Sequence, residues 1–221
     1  MELTIAEAAV RLGVTPRQAQ RLAEAGRLQV VRRVGRTLLV EDTSVTALAR
    51  DRSGAGRRWN GRTAWAAIEL LEHGRTDRVT GSTASRLRRR LPQLSADELM
   101  HLATDRAQTM RLTQTRRRRD ALEAALMLSG RSALAEPAMA ARFGLAGGDT
   151  GIVEGYVLRE NLAELQERFG LMPDAEGEVL LRVADQAPVA GIVTSALDLA
   201  ERGITRERSP ARAVLQDVLA R

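Results

Sequence analysis

Residues 3–40 read LTIAEAAVRLGVTPRQAQRLAEAGRLQVVRRVGRTLLV, and this stretch decides the fold of the N-terminal part of the chain. Thr4 and Glu7 have the spacing of a capping box, in which a hydroxyl and a carboxylate bond the free amides at a helix start. The segment TPRQ at 15–18 repeats that spacing, with proline at the first helical position, where no N–H is needed. These signals predict two short helices separated by a glycine turn, the second over 16–25.

Residues 28–40 change to β-branched and aliphatic side chains, interrupted by the polar run RVGR at 33–36. This pattern predicts a β-hairpin with its tip at the glycine. Asp42 or Thr43 can then cap a third helix that reaches about residue 48. Helix, turn, helix and basic hairpin in this order predict a winged helix-turn-helix over residues 1–50.

The segments Leu3–Ala9, Leu12–Thr15 and Gly26–Leu28 resemble the helix-turn-helix of excisionase-type and MerR-type regulators. One departure is Gln20, which stands where those proteins usually have an aromatic residue. The resemblance implies a sequence-specific DNA-binding transcriptional regulator whose second helix enters the major groove.

Arginine can donate two hydrogen bonds to guanine and glutamine can pair with adenine, so the outward side chains of the second helix suit base recognition. Basic residues on the hairpin suit the phosphate backbone or the minor groove, and the hydroxyl that caps the second helix is placed to touch a phosphate. The candidate DNA contacts are Thr15, Arg17, Gln18, Gln20, Arg21, Arg32, Arg33 and Arg36. A protein-binding winged helix with solvated arginines remains the alternative.

Charge is distributed unevenly along the chain. All 34 basic residues are arginine; residues 1–119 hold 24 of them against 12 carboxylates, and residues 120–221 hold 10 against 16. The chain thus has a basic N-terminal part and an acidic C-terminal part. The basic part is expected to bind a polyanion, with nucleic acid as the leading candidate. Further phosphate contacts, or else solvated faces, are expected at Arg57, Arg58, Arg88, Arg89, Arg90, Arg116 and Arg117.

After the winged helix the sequence predicts three segments. These are a basic linker at 51–62, an arginine-rich helical segment at 63–119, and an acidic α+β domain at 120–221 for dimerisation or partner binding. Apolar spacing predicts helices at 63–72, 82–91, 95–119, 120–128, 136–143, 159–169, 192–202 and 209–220, and a strand at 178–183. The expected fold class is therefore mainly α, with few short strands.

We expect different environments for the two tryptophans. Trp65 lies in an apolar helical pattern and is expected in a core. Trp59, between Arg58 and Asn60, is expected to pack between domains, with stacking on bases as the alternative.

Enzyme chemistry is not indicated. The chain has no cysteine, and His73 and His101 lie on different predicted elements without clustered carboxylates. We therefore expect no catalytic residue, no metal and no cofactor. No apolar run approaches the ~18 residues that span a bilayer, and no secretion signal is evident, so a soluble cytoplasmic protein is predicted.

The C-terminal residues 195–201 and 206–213 are similar to the tail of AbiEi-like antitoxins, which have an N-terminal winged helix and a larger C-terminal domain. This resemblance implies an alternative function: an antitoxin that neutralises a nucleotidyltransferase-like toxin protein and represses its own operon. A homodimer is expected under either function, because one winged helix alone contacts few phosphates.

Overall fold

The computed structural model describes residues 2–221 except 13, 36, 53–55, 117 and 149–150. Its contacts divide the chain into two compact units, Met1–Gly56 and Arg57–Arg221. We call them unit 1 and unit 2 and describe each by itself.

Unit 1 contains three helices and a three-stranded antiparallel sheet within its described residues. The elements are β1 (Glu2–Thr4), α1 (Ile5–Leu12), α2 (Pro16–Glu24), β2 (Val30–Val34), β3 (Thr37–Glu41) and α3 (Asp42–Arg52). The strand order is β1-β3-β2, with β2 and β3 forming the hairpin. The two helices, the hairpin and the third helix of the sequence analysis are confirmed, whereas β1 was not expected.

The capping residues fix where the helices of unit 1 begin. Glu7 accepts a hydrogen bond from the backbone N of Thr4 at 2.8 Å, and the Thr4 hydroxyl accepts from the backbone N of Glu7 at 3.2 Å. The chain reverses after α2 at Gly26, whose φ of +70° is a left-handed conformation that suits glycine. A small aliphatic core holds the elements together through Ala8, Leu12, Ala23, Leu28, Val40, Val45 and Leu48.

Unit 2 is an α+β structure with a five-stranded mixed sheet. Its elements are α4 (Gly61–His73), α5 (Gly81–Arg90), α6 (Ala96–Leu102), β4 (Gln108–Gln114), α7 (Arg119–Ala124), β5 (Met127–Leu128), α8 (Gly130–Ala133), α9 (Pro137–Arg142), β6 (Val153–Leu158), α10 (Leu162–Phe169), β7 (Leu171–Pro173), β8 (Val179–Ala184), α11 (Ile192–Arg202) and α12 (Thr205–Leu219). The strand order is β5-β6-β8-β4-β7. Strands β6 and β8 are parallel, and the other pairs are antiparallel.

The expectation of a mainly α fold is wrong, because two sheets organise the chain into an α+β fold. The helix expected over 95–119 ends at Leu102, and Gln108–Gln114 is instead a strand between β8 and β7. Strand β6 was also missed, since its residues 153–157 are buried on both faces and show no alternation. Both strands are decided by pairing with distant residues, Gln108 of β4 with Val183 and Val153 of β6 with Val179, and local periodicity carries no such information.

The segments 63–119 and 120–221 both belong to unit 2. Strand β4 of the first lies between two strands of the second. Glu72 of α4 accepts hydrogen bonds from the backbone N of Ile192 and of Val193 at 3.1 and 2.8 Å, and so caps the start of α11.

The two faces of the unit 2 sheet differ in character, because side chains alternate along each strand. Val153 and Val157 of β6, with Val179, Leu181 and Val183 of β8, belong to an aliphatic cluster. The opposite face carries Glu154 and Tyr156 of β6 and Arg182 of β8, all almost fully buried. Charged side chains therefore lie within the interior of unit 2.

A network of hydrogen bonds compensates these buried charges. One Asp198 oxygen, Oδ1, accepts hydrogen bonds from Nη2 of Arg106 at 2.6 Å and from the Tyr156 hydroxyl at 2.9 Å, and lies 2.7 Å from Nε of Arg182. Nε of Arg106 donates to the Tyr156 hydroxyl at 3.0 Å, and Nη1 of Arg182 donates to Glu154 at 2.7 Å. The network, which we call the buried ionic cluster, joins the turn before β4 to β6, β8 and α11.

The charge states within the buried ionic cluster follow from burial and neighbouring charge. Burial alone would raise the pKa of Asp198, but the guanidinium groups of Arg182 and Arg106 outweigh it and hold that pKa below its usual value. Burial raises the pKa of Glu154, and Arg182 opposes this only in part. Burial also raises the pKa of Tyr156, so its hydroxyl stays protonated and can donate to Asp198.

The first prediction concerns this hydroxyl. Tyr156→Phe should lower the free energy of unfolding by about 1–3 kcal/mol, because Asp198 and Arg106 each lose a partner where water cannot replace it. Urea unfolding of the full chain, followed by circular dichroism, measures the change.

The double variant Tyr156→Phe with Asp198→Asn is the control for mechanism. If the hydroxyl acts through Asp198, the double variant loses less stability than the sum of the two single variants. An unfolding midpoint for Tyr156→Phe equal to that of the wild type would contradict the structural role of the cluster.

Candidate nucleic-acid interface

Helix α2 is fixed at its start by a reciprocal capping box. The Thr15 hydroxyl accepts a hydrogen bond from the backbone N of Gln18 at 3.3 Å, and Oε1 of Gln18 accepts one from the backbone N of Thr15 at 3.0 Å. Ala19 and Ala23 are buried on the inner side of the helix. Because both are small, α2 can lie close against α1.

The opposite face of α2 is open to solvent and carries the expected base-reading residues. Arg17 and Arg21 are exposed and one turn apart, so they share a face. Within the part of the chain that the structure describes, neither side chain has a hydrogen-bond or ion-pair partner. Two guanidinium groups on one capped helix are thus without a counter-charge among the described residues.

The two glutamines of α2 are already engaged. Oε1 of Gln18 belongs to the capping box, and Nε2 of Gln20 donates to the Glu24 carboxylate at 3.0 Å. Thr15 likewise uses its hydroxyl at the helix start. The geometry therefore favours the two arginines over the glutamines as groups that are free to bind a ligand.

The hairpin presents a second basic surface in unit 1. Its turn contains Gly35 with φ of +60°, so the expected tip at the glycine is confirmed. Nε of Arg32 donates to Glu2 at 3.0 Å, whereas Arg33 is exposed and has no side-chain partner among the described residues. Arg36, also expected to contact DNA, lies outside the described residues.

Ion pairs within unit 1 neutralise some of its arginines. Residues 1–56 hold nine arginines and six carboxylates. Arg11 pairs with Asp42, and Arg32 pairs with Glu2 at 3.0 Å. Arg27, which the sequence analysis did not select, is exposed after α2 and lacks a side-chain partner among the residues described.

The arginine clusters of unit 2 fall into two groups. Near the start of the unit, Nη1 of Arg58 lies 3.5 Å from Asp105, and the guanidinium carbon of Arg90 lies 5.9 Å from the centre of the Trp59 ring. Arg57, Arg88 and Arg89 are exposed.

The second group of arginines, at 116–119, differs in its contacts with other residues of unit 2. Nη1 of Arg116 donates to the backbone carbonyl of Glu167 at 2.9 Å, and Nε of Arg119 lies 2.9 Å from Glu123. Arg117 is outside the described residues. Intramolecular contacts therefore occupy part of this second cluster.

The sequence analysis missed the buried ionic cluster altogether. A signal was present, because the segments VEGYVL at 153–158 and VLLRVA at 179–184 each place a charged residue inside an apolar run. A buried charge requires a partner, and Arg106 and Asp198 are too distant in sequence to be identified in advance. The core position expected for Trp65 is confirmed, and its indole N–H donates to the backbone carbonyl of Arg106 at 3.0 Å.

Among the described residues, no three histidine, aspartate or glutamate side chains are grouped as metal ligands. Nor does any described helix have the length and apolar character needed to cross a bilayer. Comparison of the chain with protein-family models, with curated proteins and with solved structures finds no match.

Proposed function

We propose that this chain is a sequence-specific DNA-binding transcriptional regulator. Helix α2 enters the major groove, and the β2–β3 hairpin contacts the adjacent backbone. The observation that carries the proposal is the exposed pair Arg17 and Arg21, which has no intramolecular partner among the described residues, on a helix fixed by its capping box and its buried alanines.

The dimensions and chemistry of α2 support this assignment. Helix α2 has nine residues and is about 13 Å long, and an α-helix with its side chains is about 10–12 Å in diameter, which fits a major groove about 12 Å wide. A guanidinium group can bond O6 and N7 of one guanine together, which distinguishes G·C from the other base pairs. Bidentate pairing of Gln18 or Gln20 with adenine needs both ends of the side-chain amide, so it would break one of the bonds described above.

The hairpin supplies affinity and position. Phosphate contacts carry no sequence information directly, but they fix the orientation of a protein on the duplex. Arg33 is the better donor of the two described hairpin arginines, because Arg32 is neutralised by Glu2. Arg27 lies outside the hairpin and adds a further exposed positive charge.

We also propose that the regulator acts in the cytoplasm as a homodimer. One α2 reads only a few base pairs, and two-fold symmetric regulators gain affinity by pairing half-sites about one helical turn apart. The acidic C-terminal part of unit 2 is the proposed location of the dimer contact.

Arginine substitutions on α2 test base recognition. Arg17→Ala and Arg21→Ala should each weaken binding to the preferred duplex by about 1–3 kcal/mol and relax the preference at one position, because a bidentate base contact is lost. Selection of duplexes from a random pool, followed by fluorescence anisotropy, measures both effects.

Arg142→Ala is the matched control for this experiment, since Arg142 is an exposed arginine in unit 2. If both α2 variants select the same sequences with the same affinity as Arg142→Ala, the assignment of α2 to the major groove is wrong.

A second pair of substitutions tests the hairpin. Arg33→Ala should weaken binding to all duplexes alike and reduce the slope of log affinity against log salt by about 0.9, because one phosphate contact is lost. Arg32→Ala should have a smaller effect, since its charge is already paired with Glu2. Equal effects of the two substitutions, or a change in base preference, would contradict this role.

The proposed dimer has a measurable footprint. Selected duplexes should contain two inverted half-sites with centres about 10 base pairs apart, and sedimentation of the complex should give two chains per duplex. A single half-site bound by one chain would overturn the dimer proposal and leave the role of α2 intact.

A further inference from the structure

Two basic segments that are distant in sequence meet within unit 2. The guanidinium carbon of Arg90, in the last turn of α5, lies 5.9 Å from the centre of the Trp59 ring. Trp59 is itself fixed by a hydrogen bond from its backbone N to the carbonyl of Leu102 at 2.9 Å. The cation–π contact joins the C-terminal end of α5 to the first residues of unit 2.

Further arginines flank both partners of this contact in the sequence. We call this group of residues the Trp59 surface and define it by Trp59 and the arginines Arg57, Arg58, Arg88, Arg89 and Arg90. Arg57, Arg58, Arg88 and Arg89 are exposed, and Arg90 is half-buried against the ring. Consecutive helical residues point about 100° apart, so Arg88 and Arg89 cover the solvent side of α5 while Arg90 turns to Trp59.

Two carboxylates within the same stretch, Glu69 and Glu72, are engaged by other groups. Residues 57–90 contain nine arginines and three carboxylates. Glu69 pairs with Arg78 at 3.3 Å, and Glu72 caps α11 through backbone amides. From outside the stretch, Asp105 approaches Arg58 at 3.5 Å, and Glu98 interacts electrostatically with Arg90. Arg88 and Arg89 remain without a side-chain partner among the described residues.

A local structural role explains only part of this surface. Positive charge in the last turn of a helix is favoured by the helix dipole, which accounts for an arginine or two at the end of α5. It does not account for Arg57 and Arg58, which lie outside the helix, just before the tryptophan that Arg90 contacts. Like charges brought together on a surface repel one another, and binding of a polyanion removes that cost.

We propose that the Trp59 surface binds the phosphate backbone of double-stranded DNA, outside the bases read by α2. The inference rests on the proposed function, because it takes duplex DNA as the common ligand of both units. The Trp59 surface contributes affinity without sequence preference, since guanidinium groups on an exposed surface recognise phosphate charge and spacing. The cluster at 116–119 is not included, because Arg116 and Arg119 have intramolecular contacts.

The test uses the full chain with Arg88→Ala and Arg89→Ala combined. Both side chains are exposed, so we expect this variant to fold, with a urea midpoint lowered only by the small contribution of the helix dipole. The control combines Arg142→Ala with Arg202→Ala, which removes two exposed arginines from other helices of unit 2. The probes are a duplex selected by the wild type and extended on both sides, the same duplex trimmed to the selected bases, and a single-stranded RNA of the same length.

The expected result is a change in salt dependence without a change in selected sequence. Loss of two phosphate contacts should reduce the slope of log affinity against log salt by about 1.8 on the extended duplex. Between 50 and 200 mM salt the wild type should then lose about tenfold more affinity than the variant. On the trimmed duplex the variant and the wild type should bind alike.

Other outcomes separate this inference from the proposed function. If Arg17→Ala alters base preference while the Arg88 and Arg89 variant behaves like its control, the Trp59 surface is not a DNA contact and the proposed function stands. Weakened binding to RNA with unchanged binding to the extended duplex overturns the choice of DNA. If the wild type binds no duplex, both proposals fail.

Discussion

A guanidinium group remains protonated in water and in a protein interior, and this constraint governs the whole structure. The chain has 34 basic residues, all of them arginine, so its fold must assign each positive charge a partner or a place in solvent. In unit 2, buried arginines are paired with carboxylates inside the core. Asp198 lies between Arg106 and Arg182, and Tyr156 bridges Arg106 and Asp198 through its hydroxyl. Removal of Arg182 would leave Glu154 without its charged partner, which burial makes costly.

On the surface the same constraint distinguishes arginines that stabilise the chain from arginines that are available to a ligand. Arg11 and Arg32 are paired with carboxylates of unit 1, whereas Arg17, Arg21 and Arg33 have no side-chain partner among the described residues. A capped helix and a hairpin present these three groups, and this arrangement supports the proposed contact with DNA. In unit 2 the Trp59 surface is the comparable concentration of exposed charge.

Much of unit 1 could be predicted from the sequence, because its determinants are local. Capping boxes, a proline at the first helical position and a glycine at a left-handed turn act within a few residues, and each predicted element of unit 1 is present. In unit 2 the helices near α4, α5, α10 and α11, and strand β8, were also predictable from apolar spacing. The strands β4 and β6 were not, since each is fixed by pairing with β8, a strand separated from it in sequence by other elements.

The candidate site shows the same division. Helical periodicity shows which residues of α2 face outward. Only the side-chain contacts show which of them are free to bind a ligand. The engagement of Gln20 with Glu24 and of Arg32 with Glu2 became visible only in the structure. The buried ionic cluster joins residues up to 92 positions apart, so the sequence showed only that Glu154 and Arg182 needed partners.

The most direct measurement of the central claim is binding of the wild-type chain to a selected duplex in which each guanine in turn is replaced by 7-deazaguanine. This base lacks the N7 acceptor that a bidentate arginine requires but keeps its Watson–Crick pairing. We expect one or two replacements in each half-site to weaken binding of the wild type. Each of them should have no further effect in the variant, Arg17→Ala or Arg21→Ala, that lacks the arginine contacting that guanine. Unchanged affinity for every replaced duplex would contradict major-groove recognition by α2.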